Sequence, residues 1–277
     1  MKRLFLALVL SALVVAITQA ASLTFTVTPS TPLVFGTGGN NVVGVLQDSA
    51  PGFASGSLAS NGIAKTDTYL TPESLFGGRE VSLGEVAGMS YWTKKGTTHA
   101  VDLRDWYMVI YTKPYVGDKS TPTWYGSRIG AEPYFASSMN APAGIWNEWS
   151  TEADENQLRF FESTQGAPGA NFGTYNDPSW STLLSGNSLS GHAYAGQKVL
   201  FFSLQTASSW AAGFTGQLDG LRIELTDGSV AKVNFEAVNV ATDAGSCKKD
   251  GWQTLFRANG TGFNNQGDCV SYVNTGR

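Results

Sequence analysis

Between residues 86 and 238 the chain is a succession of short alternating segments separated by Gly, Asn and Asp, with no sustained helical period. This pattern constrains the fold more than any other feature. Alternation with period two gives each strand one apolar side, and many such strands need a second layer to cover that side. The cleanest case comes late. Leu221, Ile223 and Leu225 point one way and Arg222, Glu224 and Thr226 the other, and Thr226-Asp227-Gly228-Ser229 supplies the turn into a return strand over 231–238. Further strands are expected over 23–27, 41–46, 86–94, 125–135, 145–150, 157–162, 199–205 and 220–225. The segment 106–112 (Trp-Tyr-Met-Val-Ile-Tyr-Thr) is apolar on both sides and predicts a central strand covered on both faces. Ser82-Leu83-Gly84-Glu85 has capping-box spacing and predicts one short helical turn. Together these predict an all-β, antiparallel two-sheet sandwich, its edges guarded by Pro114, Pro133 and long loops.

The start of the chain has the character of a secretory signal peptide. Lys2 and Arg3 precede an apolar run from Leu4 to Ile17, and Thr18-Gln19-Ala20 offers the small residues of a cleavage site. Cleavage after Ala20 predicts a mature chain outside the cytoplasm, at the cell surface or in the periplasm. No membrane span is expected after cleavage, because no other run is long and apolar enough. Of the 18 Lys and Arg, the signal holds two; the remaining 16 face 22 Asp and Glu, a net charge of −6. No basic stripe is present to pair with a phosphate backbone, so nucleic acid is excluded as a partner. With 42% hydrophobic and 12% aromatic residues the chain can build a core. Cys247 and Cys269 are the only cysteines. In an oxidising compartment this isolated pair predicts one disulfide, contributing ~3 kcal/mol. A metal site at the pair would need further ligands, and His99 and His192 are the only histidines.

Two segments carry a resemblance to known proteins. Trp210-Ala-Ala-Gly-Phe-Thr-Gly-Gln-Leu-Asp-Gly-Leu-Arg-Ile223 with Val233-Asn234-Phe235-Glu236 resembles the closing strands of jelly-roll sandwiches in bacterial extracellular proteins, within the lectin-like group related to concanavalin and laminin-G folds. Gly144-Ile-Trp-Asn-Glu-Trp149 and Glu132-Pro133-Tyr134 fit the same order, so the resemblance spans about 65–238. It implies a jelly-roll topology rather than an activity. The second segment, Cys247-Lys-Lys-Asp-Gly-Trp252 with Asn265-Gln-Gly-Asp-Cys-Val-Ser271, resembles a short C-terminal tail appended to diverse secreted bacterial proteins. The expected organisation is a signal peptide at 1–20, a jelly-roll sandwich at 21–240 and a disulfide-closed tail at 241–277. In the tail, Asn259-Gly260 predicts a small β-hairpin, and 269–273 a further strand.

Residue types narrow the chemistry. A Ser-His-Asp triad would have to use His99 or His192, and no Gly-x-Ser-x-Gly elbow is present. Glu148, Glu152, Asp154 and Glu155 form the one tight acidic cluster, but 150–156 lacks β-type alternation and predicts solvated turn acids. Tyr175-Asn176-Asp177 and Asp118-Lys119-Ser120 are the candidate loops for a structural calcium ion; ordinary Asx-turns account for both, so no metal ligand and no cofactor is expected. The aromatic residues remain. Trp124 and Tyr125 with Arg128 and Glu132 form one stretch suited to a sugar, rings against its apolar face and polar groups on its hydroxyls. Trp146 and Trp149, flanking Asn147 and Glu148, form a second, in which one ring is expected in the core and the other at the surface. The chain is therefore expected to be non-catalytic and to bind a glycan or another cell-envelope component. A polysaccharide hydrolase or lyase of lectin-like fold is the alternative, and a self-associating envelope or matrix protein the third.

Overall fold

The computed structural model describes residues 22–29, 31, 42–53, 55–62, 65–97, 103–117, 124–136, 139–152, 156–163, 178–207 and 213–276. The expected signal peptide, both candidate calcium loops, His99, Asp154 and Glu155 lie outside them. The described strands are β1 (Ser22–Val27), β2 (Val42–Leu46), β3 (Gly56–Ser60), β4 (Val86–Lys95), β5 (Tyr107–Thr112), β6 (Arg128–Ala131), β7 (Asn147–Ser150), β8 (Phe161–Glu162), β9 (Val199–Gln205), β10 (Gly216–Leu225) and β11 (Val230–Phe235). The α-helices are short: α1 (Pro72–Leu75), α2 (Trp180–Leu184) and α3 (Gln266–Thr275). The expected turn at 83–85 is a 3-10 helix closed by the Ser82–Glu85 capping box.

Two sheets form. In the seven-stranded sheet, β10 is the spine. One side of it pairs with β4 along its length, and β7 lies outside β4. The other side is shared: Gln217 and Leu218 pair with β3, and residues 221–224 with β11. Strand β2 flanks β3, and β1 flanks β11. Where the two neighbours part, backbone N–H groups would be left without partners. The Asp219 carboxylate, fully buried, accepts from three of them: Gly220 N at 2.8 Å, Phe235 N at 3.1 Å and Ala50 N at 3.0 Å. The second sheet has the order β8-β6-β5-β9 and is wholly antiparallel.

The core lies between the sheets. Leu221, Ile223 and Leu225 face it from β10, and Ala231, Val233 and Phe235 from β11, as the alternation predicts. Polar tips of large core side chains are tied across the layer. Trp106 Nε1 donates to the Gly216 carbonyl at 2.8 Å, and the Tyr91 hydroxyl donates to the Trp106 carbonyl at 3.2 Å. Trp149 Nε1 donates to Thr93 Oγ1 at 2.9 Å, whose hydroxyl donates to Asp105 Oδ2 at 2.9 Å.

The structure corrects four expectations. First, β1 pairs with β11 in parallel, so the sandwich is not purely antiparallel. Phe25 and Val27 align with Val233 and Phe235, and alternation within one strand does not record its partner's direction. Second, β3 lies in a stretch whose Gly and Ser content argues against a strand; all five of its residues are buried, and backbone pairing with β2 on one side and β10 on the other makes it one. Third, the strands expected over 125–135 and 157–162 are only Arg128–Ala131 and Phe161–Glu162. Fourth, the strand expected over 269–273 is part of helix α3. Asn265 caps its start by accepting from Asp268 N at 2.9 Å, and Gly276 ends it at φ 71°.

In the tail, Cys247 and Cys269 are disulfide-bonded, and both sulfurs sit in a small apolar cluster with Ala241 and Phe263, separate from the main core. The predicted hairpin reduces to a turn at Asn259-Gly260 and a single bridge between Phe256 and Gly262. The turn touches the sandwich: a Cβ on Gly260 would lie 2.6 Å from Leu46 Cδ1 of β2. A Cys247→Ser, Cys269→Ser double variant is expected to destabilise the tail by about 3 kcal/mol. Hydrogen exchange should quicken over residues 243–276 and hold in β4, β5 and β10; equal acceleration in all of them would show that the tail is not a separate unit.

Candidate functional site

The face of the four-stranded sheet opposite to Met108 and Ile110 carries polar and aromatic side chains in rows, most of them buried. In β5, Met108 and Ile110 point into the core, which leaves Tyr107, Val109 and Tyr111 on the opposite face. The register places their neighbours. Tyr107 pairs with Gln205 of β9, and Gln205 pairs in turn with Asp67. Glu132, one residue beyond the paired Ala131, continues the register to a place beside Tyr107. The first row is thus Glu132, Tyr107, Gln205 and Asp67. In the second, Val109 lies between Gly130 and Ser203. The Phe161 ring covers Gly130, where a Cβ would come within 3.1 Å of it. The third joins Arg128, Tyr111 and Phe201, with Arg128 Nε donating to Ser163 Oγ at 2.8 Å.

Aromatic rings line one end of this face. Tyr111 lies 5.1 Å from Trp124, 5.5 Å from Tyr125 and 6.0 Å from Tyr69, between ring centroids. Trp124 and Tyr125 meet edge to face at 4.4 Å. Tyr125 and Tyr111 are buried, whereas Trp124 is 48% exposed. A buried aromatic pair therefore holds one indole ring at the surface.

Burial governs the ionisable groups. It raises the Glu132 carboxyl to about 7, against the pull of Arg128 and Lys65. It also raises Asp67, although Lys65 Nζ lies 2.8 Å from Asp67 Oδ1. The Tyr111 phenol is pushed up to about 12 by burial, and Tyr69 and Tyr107 are raised further. Ser203 Oγ and Gln205 Oε1, both buried, have no hydrogen-bond partner within the protein.

Four residues singled out from the sequence, Trp124, Tyr125, Arg128 and Glu132, thus come together on this face. Trp146 and Trp149 do not join them. Trp149 is 0% exposed and faces the core from β7. Trp146, half-buried, donates from Nε1 to Asp48 Oδ1 at 3.0 Å, beside the Lys94–Asp48 ion pair of 2.7 Å. Glu148 and Glu152 are exposed. His192 stacks on Tyr115 with ring centroids 3.6 Å apart. Asp67, Tyr69, Tyr107, Tyr111, Ser203 and Gln205 were not anticipated. A signal for some was present: in 199–205, Phe201, Ser203 and Gln205 alternate with Phe202 and Leu204, so one side of that strand is polar-tipped. Among the described residues, no group of three or more His, Cys, Asp and Glu side chains is placed to hold a metal ion, and no helix is long and apolar enough to cross a membrane.

Compared with protein-family models, with curated proteins and with solved structures, the chain matches none.

Proposed function

We propose that this is a secreted, non-catalytic sandwich of lectin-like, jelly-roll type that binds a glycan or a glycan-bearing envelope component on the outer face of its four-stranded sheet. The observation that carries the reading is the exposed Trp124 ring, held by Tyr111 and Tyr125 beside the rows of polar side chains. An exposed ring offers an apolar platform to the C–H face of a sugar, and neighbouring polar groups fix its orientation. The disulfide Cys247–Cys269 supports export to an oxidising compartment.

The spacing of the acids supports a binder over a glycoside hydrolase. Glu132 and Asp67 stand at opposite ends of their row, three strand-to-strand steps or ~14 Å apart at the backbone. Paired carboxyls that hydrolyse glycosidic bonds lie roughly 5–10 Å apart. The test is a glycan array with the mature protein and two variants. Trp124→Ala is expected to weaken binding about tenfold, the scale of one lost aromatic contact. Trp146→Ala, immediately before β7 of the other sheet, is expected to leave it unchanged. Binding that survives in Trp124→Ala and falls in Trp146→Ala would move the site to the seven-stranded sheet. Release of sugar from a polysaccharide panel would replace the proposal with an enzymatic one.

A further inference from the structure

We propose that Glu236 and Asn234 form a proton-held latch where the sandwich meets the tail: Glu236 keeps its proton in the folded protein, acid and amide close on each other through two hydrogen bonds, and loss of the proton loosens the junction. The proposal does not depend on the glycan-binding reading. Three observations carry it.

The first is a mismatch of donors and acceptors. Asn234 Nδ2 donates to Glu236 Oε1 at 2.7 Å. The other oxygen of each group, Asn234 Oδ1 and Glu236 Oε2, is buried and has no hydrogen-bond partner. An amide oxygen and an ionised carboxyl only accept, so neither satisfies the other, and leaving both bare is costly. One proton on Oε2 removes both faults, because the carboxyl then donates to Asn234 Oδ1. The two planar groups present their polar atoms at matching spacing, so a pair joined on one leg can close on the other.

The second is the electrostatic setting. Glu236 is 4% exposed, and the charge that acts on it, Asp219 of β10, has the same sign as its own carboxylate. Strand β1, on its other side, has no ionisable side chain, and neither have β2 and β3. In the segment 47–53, Asp48 is engaged by Lys94 and Trp146. Lys232 is exposed and pairs in register with Arg222, beyond Asn234, and Arg222 is held by Glu224. Burial and Asp219 thus favour the neutral acid, and against the bond from Asn234 they raise the Glu236 carboxyl to about 7.

The third is position. The Glu236 amide donates to the Val27 carbonyl at 2.8 Å, one step beyond the pairing of β1 with β11, and Asn234 lies opposite Thr26 of β1. Ala237 follows, its backbone set closely against β2 and β3: a Cβ on Gly44 would lie 2.4 Å from the Ala237 carbonyl oxygen, and one on Gly56 3.2 Å from the Ala237 nitrogen. Val240 then bridges Phe256 of the tail. One stretch of chain therefore holds the N-terminal strand, the β2–β3 pair and the tail, and the latch lies at its start. Ionising Glu236 breaks the second leg and sets a carboxylate against Asp219. The junction is closed in acid and loosens as the pH rises through about 7.

The experiment compares the wild type with Glu236→Gln, whose amide donates to Asn234 Oδ1 at every pH. Hydrogen exchange is followed by mass spectrometry over 22–28 and 234–241 at pH 5 and at pH 8.5, the two proteins being compared at the same pH. At pH 5 they are expected to exchange equally. At pH 8.5 the wild type should exchange about tenfold faster or more, because each unit of pH past the titration midpoint is a tenfold change in the closed population. In the wild type alone, the Asn234 side-chain amide resonances should move with a midpoint near pH 7, a readout that needs no variant. Equal exchange in the two proteins at pH 8.5, or an Asn234 side chain that does not respond between pH 5 and pH 9, overturns the proposal. So does protection at pH 8.5 that calcium restores and EDTA removes, since a cation rather than a proton would then bridge the two oxygens.

Discussion

The protein is expected to be most stable near pH 4–5 and to lose stability steadily as the pH rises to about 8. The cause is a set of buried carboxyls whose proton is retained on folding. Burial raises Asp219 to about 6 and Glu132 to about 7. Glu236 is raised to about 7 by burial and by the charge of Asp219, against the hydrogen bond from Asn234. In the unfolded chain such groups release their proton near pH 4. Between about pH 4 and pH 7 the native state thus holds more protons than the unfolded state, and the unfolding free energy falls as the pH rises. Below that window both states are protonated, and above it neither is, so the loss is complete by about pH 8. One such group corresponds to a change on the order of 3 kcal/mol, and the set to more. On the acid side the sign reverses. Glu85 is lowered to about 2 by hydrogen bonds from the Ser82 side chain and backbone and from Arg79, and its contribution is lost as the pH falls below 4. Urea midpoints measured from pH 3 to pH 9 check the profile, and a midpoint that holds or rises between pH 5 and pH 8 would contradict it. Glu236→Gln mimics the protonated carboxyl, so it should raise the midpoint at pH 8 and leave it unchanged at pH 4.

Trp149→Ala is expected to destabilise the sandwich by about 4 kcal/mol, the scale of a large aromatic side chain removed from a packed interior. Trp149 is 0% exposed, lies opposite Tyr91 in the pairing of β4 with β7, and donates to Thr93 Oγ1. Its loss opens a cavity between the sheets and removes a donor from the Trp149–Thr93–Asp105 chain. Trp149→Phe keeps most of the volume and should cost less than half as much. Chemical denaturation of the two variants measures this directly, and a change under 1 kcal/mol for Trp149→Ala would mean that β7 is not part of the core.

The elements read from the sequence and those missed differ in where their information resides. Strand β9 and the β10–β11 hairpin are legible because each carries its own alternation, and Asp227-Gly228 fixes the turn between them. Strand β3 is not, because its two neighbours rather than its own side chains make it a strand. Helix α3 begins and ends on Asn265 and Gly276, and five residues of apparent alternation are too few to weigh against such caps. In the site, Trp124, Tyr125, Arg128 and Glu132 were visible together because one stretch of chain holds them. Asp67 and Gln205 are 138 positions apart and meet only through the register of β9 with the segment before α1. The two tryptophans of 146–149 illustrate the limit of parity: it predicts that one faces inward, and the pairing of β7 with β4 decides that this one is Trp149.

The most direct test of the central claim is backbone-amide chemical-shift mapping of the protein, titrated with the oligosaccharide that the glycan array selects. The account predicts that perturbed amides concentrate at 66–69, 107–111, 124–132 and 201–205, on four segments that meet only on the outer face of the four-stranded sheet. Perturbations confined to the seven-stranded sheet, or to the disulfide-closed tail, would contradict it.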